Sequence, residues 1–126
     1  ISKVIYVKKI NNKKFVILDA GMNDLMRPAL YGAQHQIIPL KKSKIKFSGN
    51  VEIVGPICES SDRFLVQKSF TKINEGEYVA ITDVGAYGMS LASNYNTRPI
   101  VGEVLVSGSK CWLIKKRQSL KYLVNN

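Results

Sequence analysis

Short runs of strand-forming residues, punctuated by turn signals, recur along this sequence, and no run is followed by a helical pattern suited to a βαβ crossover. Residues 3–8 and 14–18 are rich in Val, Ile, Tyr, Phe and Leu and flank Asn11-Asn12, which predicts a hairpin. Residues 51–57 form a third run, 37–40 and 63–70 weaker ones, and 78–82 a strong strand after the Asn74-Glu75-Gly76-Glu77 turn. Residues 103–106 and 111–115 pair across Ser107-Gly108-Ser109. Helical signals are brief. Asp24 is expected to cap a short helix with Pro28 in its first turn, residues 89–94 to make one helical turn, and residues 119–124 to form a terminal helix. Residues 41–50 read as an exposed connection around a short β segment, and Gly85-Ala86-Tyr87-Gly88 as a break after a strand. The expected fold is mainly β: a Greek-key β-barrel or sandwich with short helical turns.

At 126 residues the chain is long enough for one domain with its own core. Its two cysteines, Cys58 and Cys111, are too few for a secreted disulfide framework and read as free thiols of a reducing compartment, the cytoplasm. No apolar run approaches the roughly 20 residues that span a bilayer, and the opening residues lack the pattern of a signal peptide. The net charge of +10 invites a nucleic-acid reading, with Tyr6 and Tyr95 as stacking candidates. The lysines are spread rather than set on an aromatic platform, and several groups fall beside turns, the pattern of a solvated surface. The expectation is therefore no nucleic-acid partner and no membrane.

Chemistry concentrates where strands end. The run into Gly55-Pro56 delivers the Cys58 thiol beside the Glu59 carboxylate, a potential proton donor next to a group able to hold an ammonium. The bland alternative is a buried thiol beside a surface carboxylate. Arg27 and Tyr31, four apart, would share a helical face and could hold a carboxylate; separately they read as a surface ion pair and a half-buried aromatic. Tyr87 lies between glycines that open space for a phosphate or ring, or else it plugs the end of a barrel. His35, the only histidine, has no ligand-spaced companions and reads as partly exposed; Cys111 beside Trp112 reads as core. Neither a metal site nor a glycine-rich phosphate loop is suggested.

Four stretches together carry a resemblance. They are Asp19-Ala20-Gly21-Met22-Asn23-Asp24-Leu25-Met26-Arg27-Pro28-Ala29-Leu30-Tyr31-Gly32-Ala33, Gly55-Pro56-Ile57-Cys58-Glu59-Ser60-Ser61-Asp62, Gly85-Ala86-Tyr87-Gly88-Met89-Ser90 and Ser93-Asn94-Tyr95-Asn96-Thr97-Arg98-Pro99. In order and spacing they resemble diaminopimelate decarboxylases over nearly the whole chain, and the Cys-Glu-Ser form is more like these than like ornithine and arginine decarboxylases. Gln34, where an aromatic is common, and the basic 41–50 connection depart from the pattern outside its motif positions.

The resemblance implies that residues 1–126 are the C-terminal β domain of a longer, two-domain enzyme that uses pyridoxal 5'-phosphate. A preceding (β/α)8 barrel would carry the Schiff-base lysine, for which no lysine here sits in a matching motif; the opening on Ile1 agrees with an excised C-terminal part. The implied reaction converts meso-diaminopimelate to L-lysine and carbon dioxide, and this chain by itself is expected to be inert. Arg27 and Tyr31 match residues that grip the distal carboxylate, Glu59 the acid that holds the distal ammonium, and Cys58 the proposed proton donor. Tyr87 matches a tyrosine that touches cofactor phosphate or substrate. Cys58 and Glu59 would enter the partner subunit's site, implying a homodimer with composite sites. The remaining alternatives are a basic nucleic-acid-binding barrel and a detached module without catalytic role.

Overall fold

The computed structural model describes residues 1–125. In chain order the elements are β1 (Ser2–Ile10), β2 (Lys13–Leu18), α1 (Arg27–Tyr31), β3 (Ile37–Pro39), β4 (Lys46–Phe47), β5 (Asn50–Val54), β6 (Arg63–Gln67), β7 (Phe70–Thr71), β8 (Tyr78–Ile81), α2 (Gly85–Ser90), a 3-10 turn (Tyr95–Thr97), β9 (Glu103–Ser107), β10 (Lys110–Lys115) and α3 (Leu120–Val124). Mainly β architecture follows, as the recurring strand signals predict, with one six-stranded sheet in the order β3-β8-β1-β2-β5-β6 curled into a half-barrel.

The β1–β2 hairpin turns on Asn11, whose φ of 52° is the left-handed value that Asn tolerates better than most residues. Next to it, β2 pairs in parallel with β5, setting Val16 opposite Ile53 and Phe15 opposite Glu52. The connection between these parallel strands is the whole of residues 19–49 rather than a single crossover helix. Val16 and Leu18 of β2, Val51 and Ile53 of β5, Val4 and Val79 are completely buried, and Leu25, Ile37, Phe47, Phe64, Phe70 and Ile73 complete the core. Each such side chain contributes roughly 1.5–3 kcal/mol relative to exposure. Glu52, between two core residues, is also buried, and Lys13 meets its carboxylate at 3.0 Å and Arg63 at 3.8 Å.

Several expectations are corrected. Asp24 does not cap α1: the N-cap is Met26 without a side-chain bond, and the Asp24 carboxylate instead accepts the Gly21 N–H at 2.9 Å. Pro28 does lie in the first turn, and Gly32, at φ 66°, closes the helix with its N–H on the Arg27 and Pro28 carbonyls. The second helix spans Gly85–Ser90, earlier than the expected turn. Glycine is a poor helix former, but at Gly88 a Cβ would stand 2.1 Å from the Val84 side chain, so close packing outweighs propensity there. His35 is buried, not partly exposed: one ring nitrogen, Nδ1, lies 3.0 Å from the Thr82 carbonyl, and Nε2 is buried without a hydrogen-bond partner.

Cys111 and Trp112 are exposed rather than core. Their strand pairs only with β9, in a two-stranded sheet apart from the six-stranded one, so the β9–β10 hairpin shows Val104, Leu105, Val106, Leu113 and Ile114 to solvent in this chain. Strand formation was legible there; burial was not. α3 matches its expected position, its first turn capped by the Ser119 hydroxyl accepting the Tyr122 N–H. Among the described residues no helix is long and apolar enough to cross a membrane.

Candidate functional site

Two groups of side chains stand out. The first is built on the short helices. Arg27 opens α1 and Tyr31 ends it, one turn apart. Across from them, the Arg27 guanidinium carbon sits 5.8 Å from the centre of the Tyr87 ring on α2. A cation–π contact of this exposed kind contributes about 0.5–1 kcal/mol and fixes the plane of the guanidinium. Tyr31 and Tyr87 are exposed, and among the described residues no carboxylate pairs with Arg27. The group offers an unneutralised guanidinium and two phenols, a surface suited to an anion. A Cβ on Gly85 would meet nothing within 4 Å, so the start of α2 is open at that position.

The second group is the loop that leaves β5. Pro56 ends the ladder, and the loop folds around Asp62, which is 2% exposed. Its carboxylate accepts the Ile57 N–H and the Met22 N–H, each at 2.7 Å, while the Gly55 N–H reaches the Asp62 carbonyl at 2.9 Å. Gly55 is required here, because a Cβ would lie 2.2 Å from the carboxylate. Burial pushes the Asp62 carboxyl above its usual range, and the two backbone N–H bonds pull the other way without cancelling the shift. The loop so braced leaves Cys58 and Glu59 exposed. Glu59 Oε1 accepts the Tyr95 hydroxyl at 2.5 Å, and this carboxylate raises the Tyr95 phenol above its ordinary pKa.

A third loop locks against the first. The Arg98 guanidinium donates to Asn23 Oδ1 at 2.8 Å and to the Asp19 carbonyl, and lies 3.5 Å from the Asp24 carboxylate. Completely buried Asn23 accepts the Ser93 N–H on its backbone carbonyl at 3.0 Å and donates its amide to the Ser93 carbonyl at 3.3 Å. Asn96 and Thr97 both adopt left-handed φ, 60° and 57°. For β-branched Thr97 that is a strained conformation, held in place by its surroundings.

Of the sequence-predicted residues, the structure brings Arg27 against Tyr87, with Tyr31 one turn along the helix from Arg27, while Cys58 and Glu59, neighbours in the chain, are both exposed on the other loop. Among the described residues no hydrogen bond or ion pair joins one group to the other. Sequence reasoning assigned no role to Asp62, Asn23 or Arg98, and it weighed Tyr95 only as a stacking candidate. All lie inside the four quoted stretches, which was the available signal, but their long-range partners are 36 to 79 residues away.

Residues 1–85 match the family described as pyridoxal-dependent decarboxylase, C-terminal sheet domain. The chain is 46% identical over 123 residues to a diaminopimelate decarboxylase of Helicobacter pylori, covering 98% of this chain and 30% of that protein. It is 46% identical over 126 residues to one of Zymomonas mobilis, covering 100% of this chain and 30% of that protein. It superposes on the solved diaminopimelate decarboxylase of M. jannaschii in complex with L-lysine with a TM-score of 0.91 at 44% identity, covering 98% of this chain and 28% of the other. The chain thus spans about 30% of the length of these curated relatives.

Proposed function

The chain belongs to the pyridoxal-dependent decarboxylase family, as its C-terminal sheet domain, and from that premise we propose that it is the substrate-contacting and dimer-forming part of a diaminopimelate decarboxylase. In this reading residues 1–126 are the second domain of a two-domain enzyme whose (β/α)8 barrel supplies most of the cofactor site. The enzyme replaces the carboxylate at the D-centre of meso-diaminopimelate by a proton, releasing L-lysine and carbon dioxide. Pyridoxal 5'-phosphate supplies, when bound, the electron sink for the electrons of the broken carbon–carbon bond.

This chain's residues fit that group at one point. Tyr87 is exposed on α2 with Arg27 against its face, so its phenol can donate to a phosphate oxygen or to substrate. Arg27 and Tyr31 bind the distal carboxylate by a guanidinium fork and a phenol hydrogen bond. Glu59 binds the distal ammonium. Together they select a substrate with a second amino-acid head, because a ligand lacking it leaves charged groups unpaired. Cys58 holds a proton at Sγ and delivers it to the carbon that has lost its carboxylate; its exposure allows the thiol to be reprotonated from solvent.

Because the two groups are not joined within one chain, we assign them to different sites of a two-fold homodimer, each protomer lending Cys58 and Glu59 to its partner. Two free thiols favour work in the reducing cytoplasm. The observation that carries the proposal is Arg27, set against Tyr87, one turn from Tyr31 and, among the described residues, without a paired carboxylate. In the full-length, cofactor-loaded enzyme, Arg27→Ala should raise KM for meso-diaminopimelate by about 10- to 100-fold, the scale of one charge-assisted hydrogen bond. Lysine formation with an unchanged KM would overturn the assignment.

A further inference from the structure

We propose that Tyr95 is a positioning residue that sets the specificity of Glu59 for a distal ammonium, an inference that rests on the reading of Glu59 given above. A glutamate on an exposed loop has three rotatable bonds, and an ammonium that must first freeze them binds weakly. Here the freezing precedes the ligand. The Tyr95 hydroxyl donates to Oε1 at 2.5 Å, leaving Oε2 and the remaining lone pairs of the carboxylate for an incoming N–H.

The tether is itself anchored at both ends. Glu59 sits on the loop braced by Asp62, with its own N–H on the Ile57 carbonyl at 2.8 Å and its carbonyl accepting the Asp62 N–H at 3.1 Å. Tyr95 sits on the strained turn. Its N–H reaches the Ser93 hydroxyl at 3.3 Å, and the Asn94 amide binds the Arg98 carbonyl at 2.8 Å and Gln118 Oε1 at 2.5 Å. Arg98 then ties the turn to Asn23 and Asp24. Two consecutive non-glycine residues held at positive φ, Asn96 and Thr97, are tolerated beside a side chain that is half-exposed and packs no core. Such strain is retained where a geometry has to be held. Glu59 raises the phenol pKa above its ordinary value, which favours the protonated, donating form.

The test uses Glu59→Gln, Tyr95→Phe and the double variant in the full-length holoenzyme, with meso-diaminopimelate as substrate and α-aminopimelate, which keeps both carboxylates but lacks the far ammonium, as competitive ligand. Tyr95→Phe removes one oxygen from an exposed side chain. We expect it to raise KM for meso-diaminopimelate by about three- to tenfold, the cost of immobilising one rotamer-rich side chain on binding, with the loss in KM rather than kcat and no change in the Ki of α-aminopimelate. The double variant should be no worse than Glu59→Gln alone. An unchanged KM in Tyr95→Phe, with Glu59→Gln impaired, overturns the positioning role and leaves the reading of Glu59 intact. Equal weakening of both ligands marks a general structural effect and also overturns it. If Glu59→Gln itself binds meso-diaminopimelate normally, it is the underlying reading of Glu59 that fails.

Discussion

The Asp62 carboxylate accepts the backbone N–H of Met22 at 2.7 Å, forty residues earlier in the chain, while its second oxygen accepts Ile57. One side chain thereby joins the loop after β2 to the loop after β5, and the exposed pair Cys58 and Glu59 rides on that junction.

Removing the carboxylate leaves two backbone donors unsatisfied. Each costs about 1–3 kcal/mol when buried, so Asp62→Ala should lose roughly 2–6 kcal/mol in urea unfolding of the domain. The pH dependence has a definite sign. Burial raises the folded-state pKa of Asp62, so its contribution is fullest below the unfolded carboxyl value of 3.8 and is lost as pH rises through the folded value. The stability of wild type relative to Asp62→Asn should therefore fall as pH climbs out of the acid range. A difference that is flat, or that grows with pH, would contradict the role given to burial.

Gly55 makes the same junction possible by lacking a side chain. A methyl group there would stand 2.2 Å from the carboxylate, so Gly55→Ala must displace Asp62 or the loop. Overpacking of this kind costs about 1–3 kcal/mol. Because the damage passes through Asp62, the double variant Gly55→Ala/Asp62→Ala should lose less than the sum of the single losses. Full additivity in a thermodynamic cycle would show that Gly55 acts elsewhere.

These junctions mark the limit of what could be read from residues alone. The hairpin at Asn11, the strand at Tyr78–Ile81, the Pro28 turn and the terminal helix are local, and local chemistry announces them. The pairings of Asp62 with Met22 and of Arg98 with Asn23 are set by how the sheet brings distant loops together, which no local pattern encodes. His35 went the same way: without knowing that Thr82 would offer a carbonyl, a lone histidine looks like a surface residue. Cys111 and Trp112 erred in the other direction, since apolar content alone does not tell which strands join the main sheet.

Lys41 and Glu77 form the surface pair with the clearest pH signature. Their atoms meet at 2.9 Å, and the Lys41 hydrogen bond, followed by the Asn74 N–H, holds the Glu77 carboxyl below its usual range. A depressed carboxylate stabilises the fold above its unfolded value of 4.5, and that contribution is lost as pH falls through the folded value. Glu77→Gln should therefore flatten part of the acid limb of a stability–pH profile and leave the neutral-to-alkaline slope alone. High salt should shrink the difference, because the Lys41 end of the pair is exposed to solvent, although the Glu77 side chain is largely covered. An effect confined to alkaline pH would exclude the pair as its source.

The two thiols offer a direct test of the surface that the chain presents by itself. Cys58 lies on the loop tip and Cys111 on the β9–β10 hairpin, and both are exposed. In the native isolated domain a thiol reagent should titrate both at rates near those of the unfolded chain, whereas a core position for Cys111 would leave one of them protected until unfolding. Cys58→Ser and Cys111→Ser should each remove one fast-reacting equivalent, and neither should change the unfolding free energy by more than about 0.5 kcal/mol, the range for exposed positions without special contacts. In the full-length enzyme the two substitutions should part company. Cys58→Ser is expected to lower kcat for lysine formation, because a serine hydroxyl gives up its proton far less readily than a thiol, while Cys111→Ser leaves turnover near wild type. Equal turnover in both variants would remove Cys58 from proton delivery and leave it an exposed thiol on a braced loop.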